Sequence, residues 1–405
     1  MAIKKFDYEY VPYEELYQAY INCRKRKRTT INAMNFEINE TKELYKLWYE
    51  LNTNTYKVGK SIAFCVDRPV KREVFAADFR DRIVHHLLID RILPFLENEF
   101  IKDSYSCRVG KGTLYGVKQC EKYIIEASEN FTKNCVIVKC DLKSFFMTIN
   151  KQHLFDKLVN FYKTQCKFNN ENDLLFNIHL TKLIIFNEPQ KNCILKQHIS
   201  HWKDLPKEKS LFSIGNDVGL PIGNLTSQLF ANFYLSEFDH FVNDELGIKY
   251  YGRYVDDFFL IVNNTQDAND VLKCIKEKLL SLGVTLHPKK LYIQDIKKGI
   301  KFIGSVIKPN RKYIANRTKG NFFTKILNIN KEYENKKVIY EKEIKEQINS
   351  INSYLGFMKP FKTFKIKKKY LNMLCENFKK CIKINETYSK VSINKDYFMH
   401  KIKIF

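Results

Sequence analysis

Apolar residues recur along this chain in two rhythms, and their succession outlines an α/β protein. Helical spacing runs over residues 12–28 and again over 79–99, where Ile83, Leu87, Leu88, Ile92 and Leu96 share a face. Pro94 is expected to interrupt or end that second helix, because proline lacks an amide proton and its ring crowds the preceding turn. Two glycines around Lys111 mark a loop over 104–113, and a helix is expected at 114–128. Cys135 to Cys140 is a short β-branched run of the buried-strand kind, and it ends at Asp141. Residues 151–212 look helical early and irregular later; 160–212 is the least legible part. A Gly/Pro/Asn-rich loop opens 219–246, and a helix follows with Leu229, Phe230, Phe233, Leu235, Phe238 and Phe241 on one broad face. Residues 248–262 read as two strands split by Asp256-Asp257. A helix over 268–282 and short strands near 291–294 and 301–307 come next, and from about 320 the pattern is helical and basic.

Composition narrows the class. Of 405 residues, 44% are apolar and 28% charged, which supports a sizeable core and excludes wholesale disorder. The net charge is +24, and residues 301–405 hold 25 Lys/Arg against 8 Asp/Glu. So large a surplus repels itself unless a polyanion screens it, so nucleic acid is the expected partner and an anionic membrane the second choice. Phe258 to Val262 is among the longest apolar runs, far below the ~20 residues of a membrane span. Met1 to Asp7 lacks an apolar core, so no secretory leader is expected. The 11 cysteines are odd in number and contain no Cys-x-x-Cys, which suits a reduced cytoplasmic protein. Cys193, His198 and His201 are a weak candidate metal site without a completing pair. The run Arg24-Lys25-Arg26-Lys27-Arg28 reads either as a solvated helix end or as a phosphate contact.

Adjacent carboxylates at Asp256 and Asp257 carry the chemistry. A hairpin turn would explain one Asp, yet two side by side repel, and a cation between carboxylates relieves that. Asp141, ending the other buried strand, converges on Asp256 if the strands are neighbours. Hard oxygen ligands with room for phosphate and water suit Mg²⁺, and two such ions suit in-line phosphoryl displacement.

The order of features resembles a reverse transcriptase of the right-hand polymerase type. Phe79 to His86 resembles the first fingers block and Ser104 to Thr113 the second. Val138 to Phe146 looks like the first metal-binding block, and Gly219 to Gln228 like the template and nucleotide loop. Tyr254-Val-Asp-Asp257 matches the polymerase signature; Leu286 to Lys290 and Phe302 to Gly304 resemble the last palm blocks. The resemblance covers roughly residues 70–310. Where most of the family has Gln-Gly-x-x-x-Ser-Pro, this chain has Ile222-Gly223-Asn224-Leu225-Thr226-Ser227-Gln228. That variant, with Trp202-x-x-Leu-Pro-x-x-Lys-Ser-Leu211 upstream, resembles the reverse transcriptases of diversity-generating retroelements.

The resemblance implies an α/β fold: a ferredoxin-like antiparallel palm sheet, helical fingers and a basic helical thumb. N-terminal segment and fingers would occupy 1–112, the palm 113–310 and the thumb 311–405. It implies that Asp141 and Asp256 hold two Mg²⁺ ions, with Asp257 supporting the site. Arg108 and Lys111 would reach the incoming dNTP triphosphate, although an ordinary solvated loop also explains them. Arg80 and Arg82 are candidate nucleic-acid contacts, with helix-surface ion pairing an equal explanation. Phe146 would block a 2′-hydroxyl, with Phe145 as core. Lys290 would protonate or stabilise the leaving pyrophosphate, and neighbouring Lys289 could be mistaken for it. Ile222 and Gln228 would loosen selection at template adenines. Lys365, Lys367, Lys368 and Lys369 would follow the phosphates of an RNA–DNA duplex. The implied partners are a template RNA and a small basic helical accessory oligomer, with no membrane. A reverse transcriptase of another bacterial lineage and a non-catalytic RNA-binding scaffold remain as alternatives.

Overall fold

The computed structural model describes residues 9–25, 30–67, 70–309, 311–336 and 338–402. The basic residues Arg26, Lys27 and Arg28 and the segment Met1 to Asp7 lie outside them. The chain divides into two compact units, one of Met1–Gly112 with Val138–Ile293, the other of Thr113–Ile137 with Gln294–Phe405.

The first unit begins with helices α1 (Tyr13–Arg24), α2 (Ile31–Ile38) and α3 (Glu40–Asn52). Their apolar stripes, including Leu16, Tyr20, Leu47 and Trp48, meet Ile83 and Leu87 of α4 (Phe79–Glu99) in one core. Asp78 caps α4 by accepting from the amide of Arg80. The helix continues past Pro94 to Glu99 and is not ended there, contrary to the sequence expectation. Both Pro94 and Asp90, whose carbonyl loses its partner, lie on the exposed face, so water can take the freed bond. Between α3 and α4, β1 (Ser61–Val66) and β2 (Arg72–Ala76) form an antiparallel hairpin in the register Val66↔Arg72 to Ile62↔Ala76. α5 (Thr113–Ala127) belongs to the second unit.

β3 (Val136–Asp141) leads into a single turn, α6 (Phe145–Thr148), then α7 (Lys151–Thr164) and α8 (Glu171–Ile185). Asn150 and Asn170 cap the last two helices, so asparagine in this stretch marks helix starts. After α8 the chain supplies β4 (Cys193–Leu195), which pairs in parallel with β1 and gives the order β2-β1-β4. α9 (Leu225–Tyr234) and α10 (Ser236–His240) follow, the latter continuing as a π-helical turn to Glu245. β5 (Tyr251–Tyr254) and β6 (Asp257–Val262) form a tight hairpin with Tyr254 opposite Asp257. With α11 (Thr265–Ser281) between, β7 (Tyr292–Asp295) completes a four-stranded sheet of order β5-β6-β3-β7. Phe258 to Ile261 and Ile137 to Cys140 are buried residue after residue, as strands covered on both faces must be.

The second unit holds a meander of β8 (Ile300–Phe302), β9 (Ser305–Lys308) and β10 (Arg311–Ile314). The strand expected at 301–307 is therefore two, turned at Ile303 and Gly304, both with positive φ. α12 (Asn316–Tyr333), α13 (Glu341–Met358), α14 (Phe364–Asn372) and α15 (Glu376–Lys380) bury Phe322, Ile326, Ile344, Ile351, Leu371 and Phe378 together. A hairpin of β11 (Ile382–Ile384) and β12 (Val391–Ile393) interrupts what the sequence suggested was unbroken helix, and α16 (Lys395–Ile402) follows. Among the described residues no helix is long and apolar enough to cross a membrane.

Candidate active site

Asp141 is the last residue of β3, and the β5–β6 turn brings Asp256 beside it. The amide of Leu142 donates to the Asp256 carbonyl at 2.9 Å, and the amide of His287 to the Asp141 carbonyl at 2.7 Å. Asp256 is half-buried and its pKa is raised, first by burial and then by the charge of Asp141, with Lys290 and Arg72 opposing. The two carboxylates are therefore close enough to repel. Lys290 Nζ sits 2.8 Å from Asp141 Oδ1 and is itself half-exposed. Asp257 points to different company: its Oδ1 is in ion-pair contact with Lys139 Nζ. Burial pushes the Lys139 pKa down to about 8, against the pull of Asp141 and Asp256.

Among the described residues no three His, Cys, Asp or Glu side chains are set together as a metal cage. Two converging carboxylates, with a third engaged by a lysine, nevertheless match a hard cation that takes its other oxygens from phosphate and water. Asp141 and Asp256 fit such an ion. Cys193, His198 and His201 do not gather into a metal site; the Nδ1 of His198 is paired with Ser200.

The turn that presents Asp256 is strained. Val255 has φ +57°, a left-handed conformation that costs a β-branched residue most. Arg253, fully buried, donates from Nη1 to the Val255 carbonyl at 2.9 Å and from Nε to Asp239 Oδ1 at 2.7 Å. Tyr251 donates its hydroxyl to the same Asp239 oxygen. Burial works against the Arg253 charge, yet Asp239 outweighs it and its pKa is raised. Gly252 suits this close approach, because a Cβ would collide with the Tyr105 hydroxyl and the Phe259 ring unless they moved. Sequence reading missed this brace, although a lone arginine in an apolar strand was a signal for it.

Phe146 and Ile222 are half-buried and share one apolar cluster with Phe75, Trp202 and Leu211. Phe145 is core, as expected, but the pair belongs to a helical turn rather than a strand. The loop carrying Ile222 is strung between two elements. Leu220 N donates to Phe146 O at 2.8 Å, and Phe75 N of β2 donates to Ile222 O at 2.9 Å. At Gly223, with φ +121°, a Cβ would lie 2.7 Å from Val74 Cγ1. Gln228 is exposed on α9 and accepts from the Cys107 thiol at 3.2 Å.

The predicted cationic contacts divide. Arg108 is built into the framework: its side chain is 6% exposed, pairs with Glu97 and donates to the carbonyls of Ile101 and Ser104. Lys111 donates to Lys102 O, and burial, then Arg108, lowers its pKa. Arg80 pairs with Glu50 and lies over the Tyr56 ring, and Arg82 donates to Ala77 O. Lys365, Lys368 and Lys369 are exposed on α14, but Lys367 is only 8% exposed. Positions 367 and 371 lie one helical turn apart, and both face the core of that unit, which corrects its grouping with the other lysines. Arg72, exposed on β2 and electrostatically linked to Asp256, was overlooked.

A family model described as "Reverse transcriptase (RNA-dependent DNA polymerase)" matches residues 71–307, and the chain belongs to that family. No curated protein sequence matches significantly. Among solved structures, a telomerase from Candida albicans in complex with a fragment of telomeric RNA is similar at 12% identity and a TM-score of 0.44. It aligns over 78% of this chain and 57% of its own. An apo telomerase from Candida tropicalis is similar at 13% identity and a TM-score of 0.46, over 66% of this chain and 60% of its own. The chain thus spans less than two thirds of those proteins.

Proposed function

We propose that this protein is an RNA-directed DNA polymerase that extends a DNA primer along a template RNA in a diversity-generating retroelement. The observation carrying the polymerase reading is the convergence of Asp141 and Asp256 across a backbone hydrogen bond, inside the segment that matches the family. Asp141 and Asp256 would hold the cations, two Mg²⁺ by the family resemblance, which would supply positive charge against the charge that develops in phosphoryl transfer. Lys139 restrains Asp257 behind them. Lys290, exposed enough to leave Asp141, stabilises or protonates the departing pyrophosphate. Arg72, exposed on β2 and electrostatically linked to Asp256, offers a fork to the triphosphate, whereas Arg108 is tied to Glu97. Phe146 closes on the sugar, and the exposed lysines of α14 serve a basic thumb.

The retroelement role rests on Ile222 and Gln228. An apolar side chain at 222 removes polar discrimination near the templating base. The template-repeat RNA and a small basic accessory oligomer are the proposed partners, and the cytoplasm the proposed setting. Primer extension on an adenine-containing RNA, with Mg²⁺ and with or without an accessory protein, tests both levels. Errors concentrated opposite adenine, shifted by Ile222→Gln, are expected. Accurate cDNA would leave the polymerase and remove the mutagenic role. Full activity in Asp256→Ala would sink the catalytic reading itself.

A further inference from the structure

Glu73 lies in β2 and is 1% exposed. No ion pair involves it among the described residues. Three neutral donors converge on its carboxylate instead: Trp202 Nε1 at 2.7 Å and Ser210 Oγ at 2.6 Å on Oε2, and the Leu211 amide at 2.7 Å on Oε1. Burial raises its pKa and these bonds oppose the rise. A buried carboxyl group without a countercharge is costly, so its position needs a reason.

All three donors come from the irregular stretch between α8 and α9. That stretch is sewn to the hairpin along its other edge as well, since β4 pairs with β1 and Gln197 accepts from the Cys65 amide at 2.8 Å. The residues held by Glu73 then support the nucleotide wall. Trp202 and Leu211 share the apolar cluster with Phe146 and Ile222. Leu211 Cδ2 stands 2.8 Å from where a Gly219 Cβ would be, so the start of the 219–224 loop lies directly on it. Gly219 and Leu220 in turn bond to the Ile149 and Phe146 carbonyls. On β2 itself, Phe75 is two residues from Glu73, on the same face, and holds the Ile222 carbonyl.

We propose that Glu73 is a positioning residue for nucleotide selection, which sets Phe146 and Ile222 through Trp202, Ser210 and Leu211. It touches neither substrate nor metal. A carboxylate is needed because its two oxygens receive three donors; a glutamine offers one acceptor oxygen and turns an NH₂ against the rest. The inference rests on the polymerase reading of the Asp141–Asp256 site.

Single-nucleotide primer extension with the full chain, Mg²⁺ and an RNA template–DNA primer duplex tests it. The variants are Glu73→Gln and Trp202→Phe, the second keeping an aromatic ring but losing the donor. The expected result is a KM for the correct dNTP raised roughly five-fold to ten-fold with kcat within about two-fold. Discrimination of dNTP against rNTP is expected to fall about five-fold or more, with an error spectrum opposite adenine that shifts in both variants. Unchanged KM and discrimination in variants that melt like the wild type would overturn the proposal. So would a fall in kcat alone in step with lost thermal stability, which marks a purely structural brace. If Glu73→Gln does not fold, Ser210→Ala removes one bond of the three and is expected to move KM and discrimination the same way by less. A wild type that adds no nucleotide overturns the polymerase reading and this inference with it. A wild type that polymerises beside variants that select nucleotides equally well overturns this inference alone.

Discussion

Asp239 and Glu73 are both buried carboxylates, one behind the turn that carries Asp256 and the other behind the wall formed by Phe146 and Ile222, and they are satisfied by opposite means. Asp239 faces a full positive charge, the buried guanidinium of Arg253, with the Tyr251 hydroxyl beside it. Glu73 faces only dipoles. The turn carries strain at Val255 and has to be forced into shape, so a strong forked pair suits it. The wall has to be placed rather than forced, and three hydrogen bonds of modest strength place it. Damage to either carboxylate should therefore differ in kind.

Asp239→Ala tests the difference most severely. It strands a buried guanidinium, and denaturant unfolding should show a loss of about 3–5 kcal/mol, together with loss of nucleotide addition. A loss under about 1 kcal/mol would mean that the pair is not what holds the turn. Glu73→Ala leaves neutral donors unpaired and should cost less, about 2–3 kcal/mol in the same measurement. Equal costs at the two sites would erase the contrast. Gly252→Ala probes the turn from its other side. The added methyl meets Tyr105 and Phe259, and a loss of about 1–3 kcal/mol is expected, partly recovered in a double variant with Tyr105→Phe. The smallest effect is a pH slope. The folded-state pKa of Glu73 is raised above its ordinary 4.5, so folding favours the protonated acid. Its contribution to stability is then fullest below pH 4.5 and declines as pH rises through the raised folded value. The stability difference between wild type and Glu73→Gln, followed upward from pH 4 by chemical unfolding, should shift against the wild type; a flat difference would contradict the shift.

The end of the sheet that carries Asp141 and Asp256 was far more legible than the wall. β3 and β6 announce themselves as apolar runs bounded by acids, β3 at its end and β6 at its start, because strands covered on both faces need apolar runs. That pattern marks Asp141 and Asp256 as candidates, and the strand order that sets β3 beside β6 brings them together. Residues 189–212 form only short turns and a three-residue strand. Their order comes from partners far away in sequence, Trp202 lying 129 positions after Glu73, and no local period encodes such a contact. Glu73 did leave a trace, since it shares a strand face with Phe75, where alternation calls for an apolar residue. Arg108 misled for a related reason: arginine in a glycine loop suggests phosphate, yet here the loop folds back onto Glu97 and the arginine closes it. The β11–β12 hairpin was hidden by its brevity, since three-residue strands carry too few positions to show alternation.

The parallel pairing of β4 with β1 also sets a schedule for synthesis. Cys65 must wait for Gln197, 132 residues later, before its amide is satisfied. At roughly 5–20 residues per second, the hairpin leaves the ribosome on the order of ten seconds before its third strand exists. For that interval β1 presents an open edge to any neighbouring nascent chain. Yield from rapid, crowded translation should therefore fall before intrinsic stability does, and slower synthesis at low temperature should restore it.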